Sequence, residues 1–259
     1  MKINQAFTAL QKAGGIRAAR IITENTKKIS YLSLWRMTRK LRRGVPVAKI
    51  TGQKWFYAMR FYTNKYTLDP RPDTETLVSA VISDIPTDTQ MRILDLGTGT
   101  GCIICALVKN IFGASGIAVD KSWRALRVAR KNIRAHHLHR KIKAIRASFN
   151  HAHKFGEKFD IIVSNPPYIA IDDTRVDNGA LHDPKIALYA ADNGLAAYKS
   201  IAKNAKEWIT DDGKLYLEIG IDQGADIKNI FIGNGWDLRH TQCDLAGIER
   251  VLVFTLAQK

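Results

Sequence analysis

From Met91 to the C-terminus, short apolar runs alternate with segments of helical length. "RILDL", "SGIAV", "IKAIR", "FDIIVS" and "KLYLEI" read as strands, and helical stretches follow Gly101, Ser122, Asp192 and Gln223 between several of them. Strands separated by helices run parallel, because a crossover segment returns the chain to the same end of the sheet, and such sheets carry helices on both faces. The ending breaks that rule. "WDLRHT" and "ERVLVFTLA" are joined by a loop with no room for a helix, so they are expected to pair antiparallel at the sheet edge. The fold class expected is α/β, a seven-stranded, mostly parallel sheet with an antiparallel terminal strand.

The chain before Met91 reads differently. Residues 5–43 space Ile, Leu, Ala and Trp35 among basic residues with an interruption at Gly14-Gly15, which predicts two or three short helices. "VAKITGQKWFYAMRFYTNKY" is rich in β-branched and aromatic residues around Gly52 and predicts strand or hairpin structure. "DPRPDTETLV" then gives a Pro-bounded loop in which Asp73 or Thr74 caps a helix through Leu77 to Ile85. The organisation expected is a short basic helical domain at 1–44, a strand or hairpin connector at 45–68 and the α/β domain at 69–259.

Charge is unevenly placed. The formal net charge is +16, yet residues 1–60 hold 14 Lys/Arg and one acid, Glu24, residues 121–146 hold ten Lys/Arg and no acid, and residues 147–259 hold 12 Lys/Arg and 16 acids. Such fields attract polyanions, which raises affinity for nucleic acid or the ribosome as an expectation. No apolar stretch approaches the ~18 to 20 residues of a membrane span, so no membrane association is expected. The basic start shows no cleavage boundary and runs into folded sequence, which argues against a transit peptide. Three cysteines, Cys102, Cys105 and Cys243, make no secreted disulfide framework and point to the cytoplasm. Cys102-x-x-Cys105 lacks the second pair that a zinc site needs, so the two read as small apolar residues on one helix face and no metal is expected. His136, His137 and His139 read as surface residues.

The chemistry concentrates at the ends of three strands. "ILDLGTGTGCI" follows a strand and opens a helix; Gly97, Gly99 and Gly101 let the backbone turn tightly and approach a ligand, beside the free N–H groups of a helix N-terminus. Asp120 ends the next strand about twenty residues on, where a carboxylate can accept both ribose hydroxyls of an adenosine. "SNPPY" follows "FDIIV": proline cannot donate a ladder hydrogen bond, and Pro166 restricts Asn165 to extended geometry, so the strand stops in a stiff polar edge.

The order strand-GxGxG, strand-Asp, strand, strand-NPPY, with Asp95 before the turn, resembles the class I S-adenosylmethionine-dependent methyltransferases, which are Rossmann-like. In those enzymes Asn-Pro-Pro-Tyr accompanies attack by a planar conjugated nitrogen. The Asn165 side-chain oxygen and the Pro166 carbonyl would accept its two hydrogens and aim its lone pair at the methyl group, with Tyr168 against the flat face of the target. The same tetrapeptide serves exocyclic base amines, so an adenine-N6 methyltransferase acting on DNA or RNA is the alternative.

"DPRPDTETLV", "ILDLGTGTGCI", "AVDKS", "IVSNPPYI", "DPKIALYAADNGLAAYKSI", "LEIGIDQ" and "DLAGIERVLVF" resemble, in order and spacing, the release-factor glutamine methyltransferases over about residues 45–259. That resemblance implies S-adenosyl-L-methionine as cofactor and a peptide-chain release factor as protein partner. The methyl group would go to the side-chain amide nitrogen of the glutamine in the Gly-Gly-Gln motif, by a monomeric enzyme. It assigns Gly97, Thr98, Gly99, Thr100, Gly101, Asp120, Phe149 and Asn165 to the cofactor, and Asn165, Pro166, Pro167 and Tyr168 to the substrate, with Asn165, Pro166 and Tyr168 catalytic. It makes residues 1–44 a shortened substrate-recognition domain, roughly 20 to 30 residues less than is usual in the family. Two further departures are Ser148-Phe149, where the family often has Asp-Trp or Asp-Phe, and Asp183, where it usually carries Glu.

Overall fold

A computed structural model describes residues 3–26, 28–86, 89–150, 154–173 and 179–258. Three helices open the chain, α1 (Ile3–Asn25), α2 (Tyr31–Arg42) and α3 (Val47–Thr51). Gly15 breaks α1 with φ 84° and ψ 167°, a conformation that a side chain would strain, at the interruption the sequence predicts. Ser30 caps α2, its side chain accepting from the Ser33 N–H. Ala6, Leu10, Ala19, Ile22 and Leu41 bury a small core among these helices.

The hairpin follows as β1 (Gln53–Phe56) and β2 (Met59–Tyr62), paired antiparallel through Tyr57 and Ala58, both at positive φ as in a type I′ turn. Strand-like sequence extends further back than the strand does, since Val47–Thr51 is helical. Pro46 stands just before that helix with φ −55°, Gly52 closes it at φ 72°, and Lys49 is held by tertiary contacts that outweigh the β propensity of Val and Ile.

Helix α4 (Thr74–Ser83) leads into the large sheet: β3 (Arg92–Leu96), α5 (Cys102–Asn110), β4 (Ser115–Asp120), α6 (Trp123–Ala135), β5 (Ile142–Arg146) and β6 (Phe159–Ser164). After a two-residue parallel pair, β7 (Ile169–Ala170) with β8 (Tyr189–Ala190), come α7 (Ala196–Asn204), β9 (Ile209–Glu218), α8 (Gly224–Ile232), β10 (Trp236–Cys243) and β11 (Glu249–Leu256). The seven-stranded order is β10-β11-β9-β6-β3-β4-β5. β11 runs antiparallel to both β9 and β10, while the pairs from β9 to β5 are parallel. The expected antiparallel pair thus forms the edge, with the last strand tucked inside it.

Alternation along β3 shows how the sheet is covered. Ile93 faces a core shared with α4, α5 and the hairpin, and Leu94 and Leu96 face the other, under α7 and α8. Cys102 and Cys105 are buried in the first of these cores, where burial pushes the Cys102 thiol up to about 12 and the Cys105 thiol well above its ordinary range.

Candidate functional site

The order reverses at β3, whose neighbours are β4 on one side and β6 on the other, and open α/β sheets bind ligands at the carboxyl ends of such strands. A cleft with about 660 Å³ of empty space, counting its open mouth, lies there. Gly97, Gly99, Asp120, Phe149, Asn165 and Pro167 are on its wall, so the ends of β3, β4 and β6 meet at one place.

The turn after β3 is built from inside. Gly97, Gly99 and Gly101 all take positive φ, and the N–H groups of Gly97 and Thr98 donate to the Val119 carbonyl at 2.9 and 2.8 Å. Thr98 donates its hydroxyl to Asp95 at 2.6 Å behind the turn, and a Cβ at Gly101 would press on Ala129 of α6. Gly97 and Gly99 therefore face the cleft, whereas the side chains of Thr98 and Thr100 are buried behind it. Asp95 is fully buried, which pushes its carboxyl up to about 7.

Asp120 is held by two backbone donors, Gly99 N–H at 3.0 Å and Ser122 N–H at 2.8 Å, one on each oxygen. Burial raises its pKa, and these two N–H groups oppose that rise. Each oxygen keeps a second lone-pair direction for a hydroxyl. Phe149 stands 3.9 Å from where a Cβ on Gly97 would sit, so the glycine leaves room beside an aromatic face. A carboxylate, a side-chain-free turn and a flat apolar face suit an adenosine. The cofactor S-adenosylmethionine fits these residues: Asp120 would hold its ribose, the 97–101 turn its backbone-facing side and Phe149 its adenine.

Asn165 closes the other side. Its Nδ2 donates to the Thr74 hydroxyl at 3.0 Å, and both Thr74 and Asn165 hydrogen-bond the carboxylate of Glu218, the last residue of β9. With Nδ2 committed inward, Oδ1 of the same amide is turned away from that pair as an acceptor. Glu218 is buried, its Oε2 has no hydrogen-bond partner, and burial pushes it up to about 7. The sequence places the helix cap at Asp73 or Thr74. The structure shows no cap bond from Asp73, which pairs with Arg250 at 3.3 Å, and uses Thr74 to orient Asn165.

Period-two alternation splits the tetrapeptide. Asn165 and Pro167 line the cleft, while Pro166 is buried and Tyr168 lies off it. The Tyr168 ring packs toward Gly220, its carbonyl accepts from Gln223 Nε2 at 3.0 Å, and burial pushes its phenol up to about 12.

The remaining wall comes from residues that sequence reading did not single out, Tyr66 to Leu68 on one side and Ile186 with Ala187 on the other. A buried ion cluster ties these loops together. Lys49 Nζ reaches Asp69 at 2.8 Å and Asp183 at 2.7 Å, and it donates to the Asn64 and Thr67 carbonyls. Arg71 takes the other Asp183 oxygen at 2.8 Å. Asp183, shorter than the expected Glu, thus sits between two cations, while burial still raises its pKa. The only early sign of Glu218 was an acid ending the apolar run "KLYLE".

Comparison with known proteins agrees with this geometry. The Methyltransferase small domain family matches residues 72–226. A release factor glutamine methyltransferase of Agrobacterium fabrum is 40% identical over 227 residues, which cover 84% of this chain and 77% of that protein. A bifunctional methyltransferase of Rickettsia felis is 35% identical over 264 residues, 90% of this chain but 50% of that protein, so the chain spans about half the length of the bifunctional relatives. Among solved structures, a ribosomal protein L11 methylase from Lactobacillus delbrueckii subsp. bulgaricus superposes with a TM-score of 0.53 at 17% identity, over 76% of this chain and 84% of that one, a likeness of fold. The chain belongs to the release factor glutamine methyltransferase family and carries a methyltransferase small domain at residues 72–226.

Proposed function

We propose that this enzyme transfers a methyl group from S-adenosylmethionine to the side-chain amide nitrogen of the glutamine in the Gly-Gly-Gln motif of peptide-chain release factors. The observation that carries the reading is the fixed orientation of Asn165, whose Nδ2 is tied to Thr74 and Glu218 while Oδ1 is left to accept at the edge of the cofactor cleft. When bound, the cofactor supplies a methyl carbon activated by a positive sulfur.

An amide nitrogen is a poor nucleophile because its lone pair is delocalised into the carbonyl. Asn165 Oδ1 and the Pro166 carbonyl accept its two hydrogens, and leaving either unpaired on burial would cost about 1–3 kcal/mol. Those two bonds hold the lone pair toward the place where the bound cofactor would present its methyl group, and the proton that the nitrogen loses on methylation would pass to solvent water. Catalysis is mostly positioning and exclusion of water, which reaches about 7–11 kcal/mol where alignment is good. Tyr168 and Pro167 stiffen the lip that holds Asn165.

Substrate recognition falls to the basic first helices. Trp35, Thr38, Arg39, Arg42 and Arg43 of α2 and its end surround a shallow depression, with the Arg39 guanidinium 5.3 Å from the Trp35 ring centre. An acidic face of the release factor would suit it.

The reading is tested by supplying labelled methyl donor with purified release factor, with single-stranded and duplex nucleic acid, and with no acceptor. Label in the release factor alone is the expected result. Label in adenine with none in the protein would overturn the reading.

A further inference from the structure

The ten Lys and Arg residues between 121 and 146 are all exposed, and none forms an ion pair with a described residue. In the C-terminal part several surface cations are paired, as Lys228 with Glu249 and Lys199 with Asp192. Here two are fastened to carbonyls that carry no counter-charge, Arg130 to Ala144 at 2.9 Å and Arg146 to Lys121 at 3.2 Å. Unpaired like charges repel, so this face carries a cost that a polyanion would relieve.

Aromatic rings are interleaved with these cations. Trp123 is 47% exposed, and the Arg124 and Arg127 guanidiniums lie 5.3 and 5.6 Å from its ring centre. Arg124 and Lys65 lie 4.7 and 5.1 Å from the Tyr66 ring, and the Lys131 ammonium is 3.4 Å from that of Tyr62. Arg127, Lys131 and Arg134 recur at helical spacing along α6, one charge per turn, or every ~5.4 Å. Tyr66, Lys121 and Ser122 carry the strip to the rim of the cleft.

We propose that this face of α6, with Tyr62 and Tyr66, binds single-stranded nucleic acid. Arg124, Arg127, Lys131 and Arg134 take the phosphates, and bases stack on Trp123, Tyr66 and the guanidinium planes. An acidic protein would answer the charges but has no use for the flat rings, whereas every base offers a π-face and both aromatic and guanidinium planes accept it. The proposal stands on the surface alone and is independent of which group is methylated.

The test is fluorescence anisotropy of a labelled single-stranded RNA of about 12 nucleotides, within the size such sites cover, titrated with the full chain. Saturable binding should weaken about 50-fold between roughly 50 and 200 mM salt if four phosphates are neutralised. The triple variant Arg124→Ala, Arg127→Ala, Lys131→Ala should lower the salt slope by about 2 and the affinity more than tenfold. Trp123→Ala should cost about fivefold or more with the slope unchanged. A variant neutralising Arg36, Arg39, Arg42 and Arg43 controls for charge, and thermal unfolding of each variant controls for folding. Absence of saturable binding, binding lost only in the α2 variant, or polyglutamate competing as well as RNA with Trp123→Ala silent would each overturn the proposal.

Discussion

The two walls of the cleft are held in different ways. The cofactor wall is made by consecutive strand ends. The turn after β3 bonds to Val119 of β4, and Asp120 bonds back to Gly99 and forward to Ser122, so no link spans more than about one βαβ unit. The substrate wall is assembled across the chain: Thr74 with Asn165, both with Glu218, and Lys49 with Asp69 and Asp183. A local wall survives change elsewhere, whereas a wall made of distant partners couples substrate geometry to the N-terminal helices through Lys49.

That contrast can be broken most sharply at Asn165 and Asp120. Asn165→Ala should lower the rate of transfer by about 10²–10³-fold while cofactor affinity falls far less. Asp120→Ala should do the reverse, raising the cofactor dissociation constant with the acceptor's Michaelis constant unchanged. Calorimetric cofactor titration beside steady-state kinetics checks both, and equal damage to both constants in either variant would dissolve the distinction.

Lys49→Met comes next. It strands the Asp69 carboxylate in a buried site and leaves Asp183 with Arg71 as its one cation, and breaking such a buried pair costs about 3–5 kcal/mol. Denaturant unfolding should show that loss; a change below about 1 kcal/mol would mean that the cluster is solvated and does not tie the loops.

Glu218 sharpens the comparison through pH. Burial raises its pKa from 4.5 to about 7 in the folded protein. A carboxyl raised on folding binds more protons folded than unfolded, so its stabilising contribution is complete below the ordinary value and is lost as pH rises through about 7. Stability of the cofactor-free protein should fall between pH 5 and 8, and Glu218→Gln should remove on the order of 2 kcal/mol of that slope. Transfer should rise over the same range, because the ionised carboxylate accepts from Thr74 and Asn165, and the variant should lose that rising limb. A rate profile identical in parent and variant would remove Glu218 from the orientation of Asn165.

The smallest effect is expected on α2. Neutralising Arg36, Arg39, Arg42 and Arg43 together should raise the release factor's Michaelis constant at low salt and matter little at high salt, where the Debye length shrinks to a few ångströms. An equal effect at both salts would place recognition elsewhere.

The cofactor wall was legible in the sequence because its parts are spaced by local rules: three glycines between a strand and a helix, then a carboxylate at the next strand end. The sheet was legible for the same reason, from the alternation of strand and helix and the short final loop. What sequence could not give was partnership at a distance. Nothing in "VAKIT" announces that Lys49 will meet Asp183, and this meeting makes helical a segment whose Val and Ile favour a strand. Thr74 sat in a cap position by local rules, yet its hydroxyl serves Asn165 and Glu218. Tyr168 is outside the lining of the cofactor cleft and packs toward Gly220, a contact at a distance that the tetrapeptide alone does not announce.

The most direct test of the account is the position of the transferred methyl group. After incubation of release factor with the enzyme and labelled S-adenosylmethionine, mass spectrometry of the Gly-Gly-Gln peptide should place one methyl group on the glutamine side-chain amide, and Asn165→Ala should slow its appearance by about 10²–10³-fold. A methyl group at any other atom, or unchanged modification by Asn165→Ala, would contradict the account.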